Sequence, residues 1–379
     1  MRTHHFLLVC QSPKHILVFF GSVNSDVGCR KGNPITLNPV VLANLNTACA
    51  RNAVSCNLSG RLPGKDSSPV IVFLHHGPIP LYLSAAVLQA KTSNPGEHVV
   101  LLSDQVEGAI PKLLNRNVEQ IQPPPSHSAL PLFRERYRHD GGNSREYEQR
   151  CFERWFHILD SVEARGDTEH VLYLDSDALL FLPLTDIADG VQAQMTVCNE
   201  VGPQFTFFRT PREVRHFTDF LLNQFKNDST FQELEIYVRE FAGEGLPHVS
   251  DMAALGLYGS LNLVEDIGDP SRANFVFCEN IGSSQGLKMG VLGKAIRTQN
   301  GRKYFVRPNG SQVLAGGVHL QGGNKVLWPF HVSRQVHAAL LMDNPLKYAN
   351  SLRHAAVKAF WVISLRLASR FRRILRAKY

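Results

Sequence analysis

Three short, unbroken apolar runs constrain the fold most: "VIVFL" at 70–74, "HVVLL" at 98–102 and "HVLYL" at 170–174. An apolar run of this length without polar alternation reads as a strand buried on both faces. Between the first two lies "LYLSAAVLQAKTSNPGE", a helix closed by Asn94-Pro95-Gly96. "VEQIQ" predicts a weaker third strand, and "PPPSHSALP" a loop. "SREYEQRCFERWFHILDSVEARG" predicts a long amphipathic helix, with Ser144 as its N-cap and Gly166 beyond its end. The order strand, helix, strand, strand, helix, strand predicts an α/β fold with a mostly parallel central sheet. Ligands of such sheets bind at the carboxyl ends of the strands. The second half reads as mixed: strand then helix in "QFTFFRTPREVRHFTDFLLNQF", helices in "FQELEIYVREF" and "SDMAALGLYGS", and short strands with turns over 296–318.

Residues 24 to about 68 are rich in Asn, Gly, Ser and Pro and lack periodicity. The expected organisation is therefore an irregular leader at 1–67, a main domain at 68–335 and a C-terminal tail at 336–379. The apolar stretches "HFLLVC" and "HILVFFGSV" are broken by "QSPK" and fall short of the roughly 18–20 residues of a membrane span. A poorly ordered leader is expected there, with a weak signal peptide as the alternative. The formal net charge is +7, from 40 basic and 33 acidic residues. Residues 352–379 carry eight Lys or Arg and no acid, so the remainder is close to neutral. A nucleic-acid-binding body is not implied. Seven cysteines, none in a CxxC pair, argue against a zinc or thiol-redox motif. Cys49 and Cys56 are a candidate disulfide for an oxidising compartment, and Asn57, Asn227 and Asn309 match the N-x-S sequon.

The third apolar run ends on two acids, Asp175 and Asp177, separated by Ser176. Isolated buried carboxylates are costly, and two of them repel unless a cation or water intervenes. If strand geometry persists, spacing two puts both on one side of the sheet. That arrangement suits oxygen ligation of a hard divalent metal. The small Ser176 lets a bulky ligand approach the backbone. The plainer alternative has both acids capping a turn and facing water.

"VLYLDSDALLF" resembles the DxD segment of nucleotide-sugar glycosyltransferases of the GT-A fold, and "HLQGGNK" fits H-x-x-G-x-x-K with His319, Gly322 and Lys325. That pair of motifs, in this order, is similar to glycosyltransferase family 8 over roughly residues 68–332. The family follows its Lys with Pro-Trp, where this chain has Val326-Leu327-Trp328. The resemblance implies a GT-A-type, Rossmann-like α/β fold with helices flanking the sheet and a smaller mixed C-terminal part. It implies a UDP-linked sugar as donor, a glycan, glycoconjugate or small molecule as acceptor, and retention of anomeric configuration. It also implies contact of His75, His76 and Gly77 with the nucleotide, a polar turn being the alternative.

Breaking a sugar–UDP bond places negative charge on the leaving diphosphate, which a bridging divalent metal stabilises. Asp175, Asp177 and His319 are the expected metal ligands, and the imidazole shifts preference from Mg²⁺ toward Mn²⁺. Gly322 would let the backbone approach the phosphate, and Lys325 would add a fixed positive charge. Asp104 either bonds uracil or ribose or caps a helix. Arg154 either faces the sugar nucleotide or is a solvated helix residue. Asp251 opens an apolar helix, so first-turn placement competes with contact to donor sugar or acceptor. Glu279 and Asn280, in "FVFCENIGSS", are further acceptor-side candidates, or else loop residues.

In the tail, Phe360, Ile363, Leu367, Phe371 and Ile374 step by three or four residues among Arg366, Arg370 and Arg373. This basic amphipathic helix predicts peripheral contact with an anionic membrane; the alternative is packing on the protein's own surface. The compartment stays open between the secretory pathway and a cytoplasmic membrane face. Two rival functions are an aspartate-nucleophile phosphatase, for which Leu179 and "EDIGDP" are poor matches, and a non-catalytic nucleotide-sugar-binding protein.

Overall fold

A computed structural model describes residues 3–11, 16–24, 68–105, 118–123, 129–166, 168–240 and 248–378, with side chains described only within 68–364. Cys49, Cys56 and Asn57 lie outside the described residues. The chain divides into two compact units, Met1–Gly64 and Lys65–Tyr379. In the first, β1 (Thr3–Gln11) and β2 (Ile16–Asn24) pair antiparallel, so part of the segment expected to be irregular is regular strand.

The second unit begins with β3 (Ser68–His75), α1 (Leu81–Ser93), β4 (His98–Ser103) and β5 (Val118–Ile121). α2 (Ala129–Arg136) stands where the tail of the Pro-rich segment read as loop. α3 (Arg145–Arg165) has the expected ends: Ser144 Oγ accepts from the Tyr147 N–H, and Gly166 takes a positive φ of 74°. Next come β6 (Thr168–Leu174), β7 (Ala178–Leu180), α4 (Leu184–Gly190), β8 (Met195–Val197) and β9 (Phe205–Phe208). α5 (Pro211–Gln224), α6 (Asp228–Glu240), α7 (Asp251–Leu261) and β10 (Val264–Asp266) complete the first sheet and its cover.

The described strands of that sheet run β10-β8-β9-β6-β3-β4-β5. β9 alone among them runs against its neighbours, so the sheet is mostly parallel, as expected. The unbroken apolar runs have a direct cause. Ile71, Phe73, Leu172 and Leu174 face a core shared with α1, whereas Val70, Val72, Val171 and Tyr173 face one shared with α3. All are essentially inaccessible, so alternation of burial, and hence of polarity, is absent. β3 lies between β4 and β6, so the chain reverses its strand order there, and the carboxyl ends of β3 and β6 lie side by side at one edge of the sheet.

The mixed part contains β11 (Phe275–Cys278), β12 (Met289–Gly290), β13 (Gly293–Lys294), β14 (Ile296–Gln299), β15 (Arg302–Val306) and β16 (Gln312–His319). β11, β16, β15 and β14 form a second sheet, and β7 pairs antiparallel with β16. A 3₁₀ helix (Gly322–Phe330), α8 (Arg334–Asp343) and α9 (Pro345–Lys378) close the chain.

Two buried histidines make the fold acid-sensitive. Burial pushes His157, inside α3, down to about 4, and His331, at the end of the 3₁₀ helix, down to about 4 as well. Both lie below their unfolded value, so the unfolded chain takes up the protons first. Their contribution to stability should be full above about pH 6.5 and fall as pH drops toward 4. Replacing His157 with Gln should reduce the slope of unfolding free energy against pH by up to about one proton in that window, measured by denaturant titration.

Candidate metal centre

The carboxyl end of β6 differs from the sequence expectation in one respect. The strand stops at Leu174, and Asp175-Ser176-Asp177 forms a tight turn, closed by the Ala178 N–H donating to the Asp175 carbonyl at 3.0 Å. The two acids therefore do not share a strand face by alternation. They converge through the turn, because the chain must reverse into β7 and the short polar residues accommodate that reversal. Ser176 sits half-buried at its apex.

β7 then pairs with β16, opposing Ala178 to His319, and the Leu320 N–H donates to the Asp177 carbonyl at 3.0 Å. This register carries His319 across 142 positions to Asp177, with Nε2 3.1 Å from Asp177 Oδ1. Close pairing requires glycine at 317: a Cβ there would stand 2.7 Å from the Leu179 carbonyl oxygen and 2.7 Å from the Phe205 ring. Lys325, on the 3₁₀ helix, places Nζ 3.3 Å from Asp177 Oδ2 and 5.1 Å from the Tyr82 ring centroid.

Ligand atoms of Asp175, Asp177 and His319 all lie within 4.8 Å of one another. The donor set, two carboxylates and one imidazole, fits a divalent cation of the Mn²⁺ or Mg²⁺ type. The orientation of His319 supports the fit. Its Nδ1 lies 2.6 Å from the Glu279 carbonyl, which can only accept, so Nδ1 carries the proton and Nε2 faces the carboxylates. Burial opposes ionisation of Asp177, yet the His319 bond and the Lys325 charge outweigh it and hold its carboxyl below the usual range. For His319 and Lys325 burial likewise opposes charge, and Asp177 reverses the balance, raising both above their ordinary values. Asp177 is thus an anion within the core, at 6 % exposure.

Asp175 is held from the other side. Its Oδ1 accepts from Arg154 Nη1 at 2.8 Å and from the Tyr173 hydroxyl at 2.5 Å. Arg154 also lies 3.3 Å from Asp251 Oδ2 and donates through Nε to the Cys151 carbonyl. Arg154 is not a solvated helix residue: only 12 % of its side chain is exposed, and it bridges two acids. Asp251 sits in the first turn of α7, capped by Ser250 Oγ, and is 3 % exposed. Burial raises its carboxyl to about 6 against the opposing pull of Arg154.

The remaining sequence candidates fall around this centre. Asp104 accepts from the Gly77 N–H at 2.8 Å and pairs with His76 at 3.6 Å, so it shapes the loop after β3. In that loop His75 Nε2 lies 3.2 Å from the Pro78 carbonyl. Gly322 adopts a φ of 58°, with open space where a Cβ would stand. Glu279 reaches His319 through its carbonyl, while its carboxylate accepts from Asn199 Nδ2 and Gln285 Nε2. Asn280 bonds Gln321 at 2.8 Å. Sequence reasoning missed Tyr173, Tyr82 and Asn199. Tyr173 had a signal: it is the one hydroxyl-bearing side chain in an otherwise aliphatic run. Asn199 had none, because its role depends on a turn in which it and Glu200 both take positive φ, fixed by backbone donation to Asp266.

No family model matches the chain, and no curated protein does. Slight likeness to solved structures exists. The galactosyltransferase LgtC in complex with donor and acceptor sugar analogs is 18% identical over 54% of this chain and 75% of its own, with a TM-score of 0.30. The glycosyltransferase GlyE of Streptococcus pneumoniae TIGR4 is 14% identical over 78% of this chain and 64% of its own, at 0.35. Mouse xyloside xylosyltransferase 1, in its apo form, is 10% identical over 55% and 87%, at 0.37. Likeness this slight does not define a chemistry, so the functional reading rests on the side chains themselves.

Replacing Arg154 with Met should leave the buried Asp251 and the half-buried Asp175 without their cation and cost about 3–5 kcal/mol in denaturant unfolding. Adding Asp251→Asn should return part of that loss; strict additivity of the two substitutions would contradict the bridge.

Proposed function

We propose that this chain is a metal-dependent glycosyltransferase that moves a sugar from a UDP-linked donor to a glycan, glycoconjugate or small-molecule acceptor, with retention of configuration. The observation that carries the proposal is the convergence of Asp175, Asp177, His319 and Lys325 at one strand end, from segments far apart in the chain. A buried structural ion pair needs one acid and one base. A second acid beside them, with an imidazole presented through Nε2, is a ligand set for a cation that itself meets an anion.

Asp175, Asp177 and His319 would hold Mn²⁺ or Mg²⁺. Bound there, the ion would act as a Lewis acid on the negative charge of the departing diphosphate. Lys325 supplies a fixed positive charge beside the same oxygens, its Nζ over the Tyr82 ring. Gly322, in the left-handed region and unobstructed, lets a phosphate oxygen approach its backbone. Ser176 leaves room above the turn. His75 and Asp104 serve the nucleoside at the end of β3, where Asp104 already fixes the loop backbone. Arg154 holds Asp175 in place through its Nη1 hydrogen bond. Asp251 and Glu279 orient the sugar or acceptor; what supports this is their placement within one residue contact of the ligand set.

Purified protein should release UDP from one member of a UDP-sugar panel with Mn²⁺ and not with EDTA. Asp177→Asn should lower that rate by more than about 10²-fold, with an unchanged circular dichroism spectrum. Undiminished turnover would falsify the metal reading. Binding of UDP and Mn²⁺ without release from any donor would instead favour a non-catalytic nucleotide-sugar-binding protein.

A further inference from the structure

The C-terminal helix α9 has two apolar faces, and the fold uses one. Tyr348, Ala355 and Ala359 recur at the same helical phase and are buried, at 5 %, 0 % and 8 % exposure. This face lies on the 3₁₀ helix: the Tyr348 and Trp328 rings are 6.1 Å apart, and Lys358 Nζ donates to the Gly323 carbonyl. At about 100° per residue, Leu346, Val357, Phe360 and Trp361 fall within about 60° of the opposite direction. They are exposed by 79 %, 51 %, 68 % and 62 %. The helix therefore does not need these four side chains in order to pack. Phe371 and Leu375 continue the same phase in the sequence.

We propose that this outward face of α9 docks in the interface of an anionic lipid bilayer. The charge of the helix selects that occupant. From Asn344 to Tyr379 there are nine Lys or Arg and no Asp or Glu, and Lys347 and Arg353 are exposed in the described part. A second copy of the same helix would meet like charge, whereas a surface of lipid phosphates meets opposite charge over its whole length. No described helix is long and apolar enough to cross a membrane, which fits a helix lying in the interface plane. Trp361 suits the headgroup boundary, where an amphipathic ring has both an apolar and a wet environment. Because the packed face grips the helix that carries Lys325, docking would set the candidate metal centre beside the bilayer. The proposal does not depend on the chemistry assigned to that centre.

The test uses the full chain and vesicles of phosphatidylcholine, with or without phosphatidylglycerol. Co-sedimentation with the anionic vesicles alone is expected, weakened by added salt. Trp155 and Trp328 are buried, so Trp361 is the tryptophan free to report, and its emission should shift to the blue on binding. The double variant Phe360→Ser/Trp361→Ser should bind about tenfold more weakly or less, with its far-ultraviolet circular dichroism retained. Trp361→Phe should keep binding and lose the spectral shift. Equal sedimentation with neutral vesicles, undiminished binding by the double variant, or a concentration-dependent dimer without vesicle binding would each overturn the proposal. None of these readouts requires turnover, so an inactive protein would leave this test intact.

Discussion

The antiparallel pairing of β7 with β16 is the constraint on which the centre depends. It is only three residues long, yet it fixes His319 opposite Ala178 and thereby beside Asp177. Strand register is discrete, and a slip of one position would turn His319 to the other face of the sheet. The glycine at 317 permits the approach, and the Leu320 N–H bond to Asp177 locks it. Lys325 follows because the 3₁₀ helix starts three residues after His319 and returns over Tyr82. Each ligand position is therefore a consequence of backbone hydrogen bonds, which tolerate side-chain variation around them.

Charge is arranged around this pairing in two groups. Asp177 shares its charge with His319 and Lys325; Asp175 shares its charge with Arg154, Tyr173 and, through Arg154, Asp251. Burial opposes the charge of Asp177, and these partners outweigh it. The arrangement leaves the two acids beside each other, each paired with a cationic partner from behind. That arrangement of charge is compatible with a divalent ion. The outer partners matter as much as the ligands: the Glu279 carbonyl chooses which nitrogen of His319 faces the centre, and Asn199 and Gln285 hold Glu279 in place.

The α/β architecture was legible at the level of elements. Strands at 68–75, 98–103 and 168–174, and the helices at 81–93 and 145–165 with their caps, follow from continuous apolar runs, helical periodicity and N-cap and glycine signals. α2 was not legible, because the Pro-rich segment before it reads as loop and its eight residues bury only Leu130 and Phe133. Of the two alternatives for Arg154, the structure excludes the solvated helix residue. Sequence shows its place on a helix but not which face of that helix meets β6. The tail posed two alternatives as exclusive, and the helix satisfies the packing one with a face the apolar stripe did not include: Tyr348, Ala355 and Ala359 are small or polar-tipped and do not register as a stripe.

By itself the sequence determined the chemistry available: two acids at the end of a doubly buried strand, and a histidine, a glycine and a lysine at fixed spacing far downstream. It determined this because buried strands, caps and short motifs are local, set by a few successive side chains. Only the tertiary structure decided that these groups meet, which nitrogen of His319 faces the acids, that Asp175 and Asp177 converge through a turn and not along a strand, and that Arg154 bridges two carboxylates. Those facts depend on strand register and helix facing, which are set by long-range packing of the two cores against the sheet and leave no signature at the residues concerned.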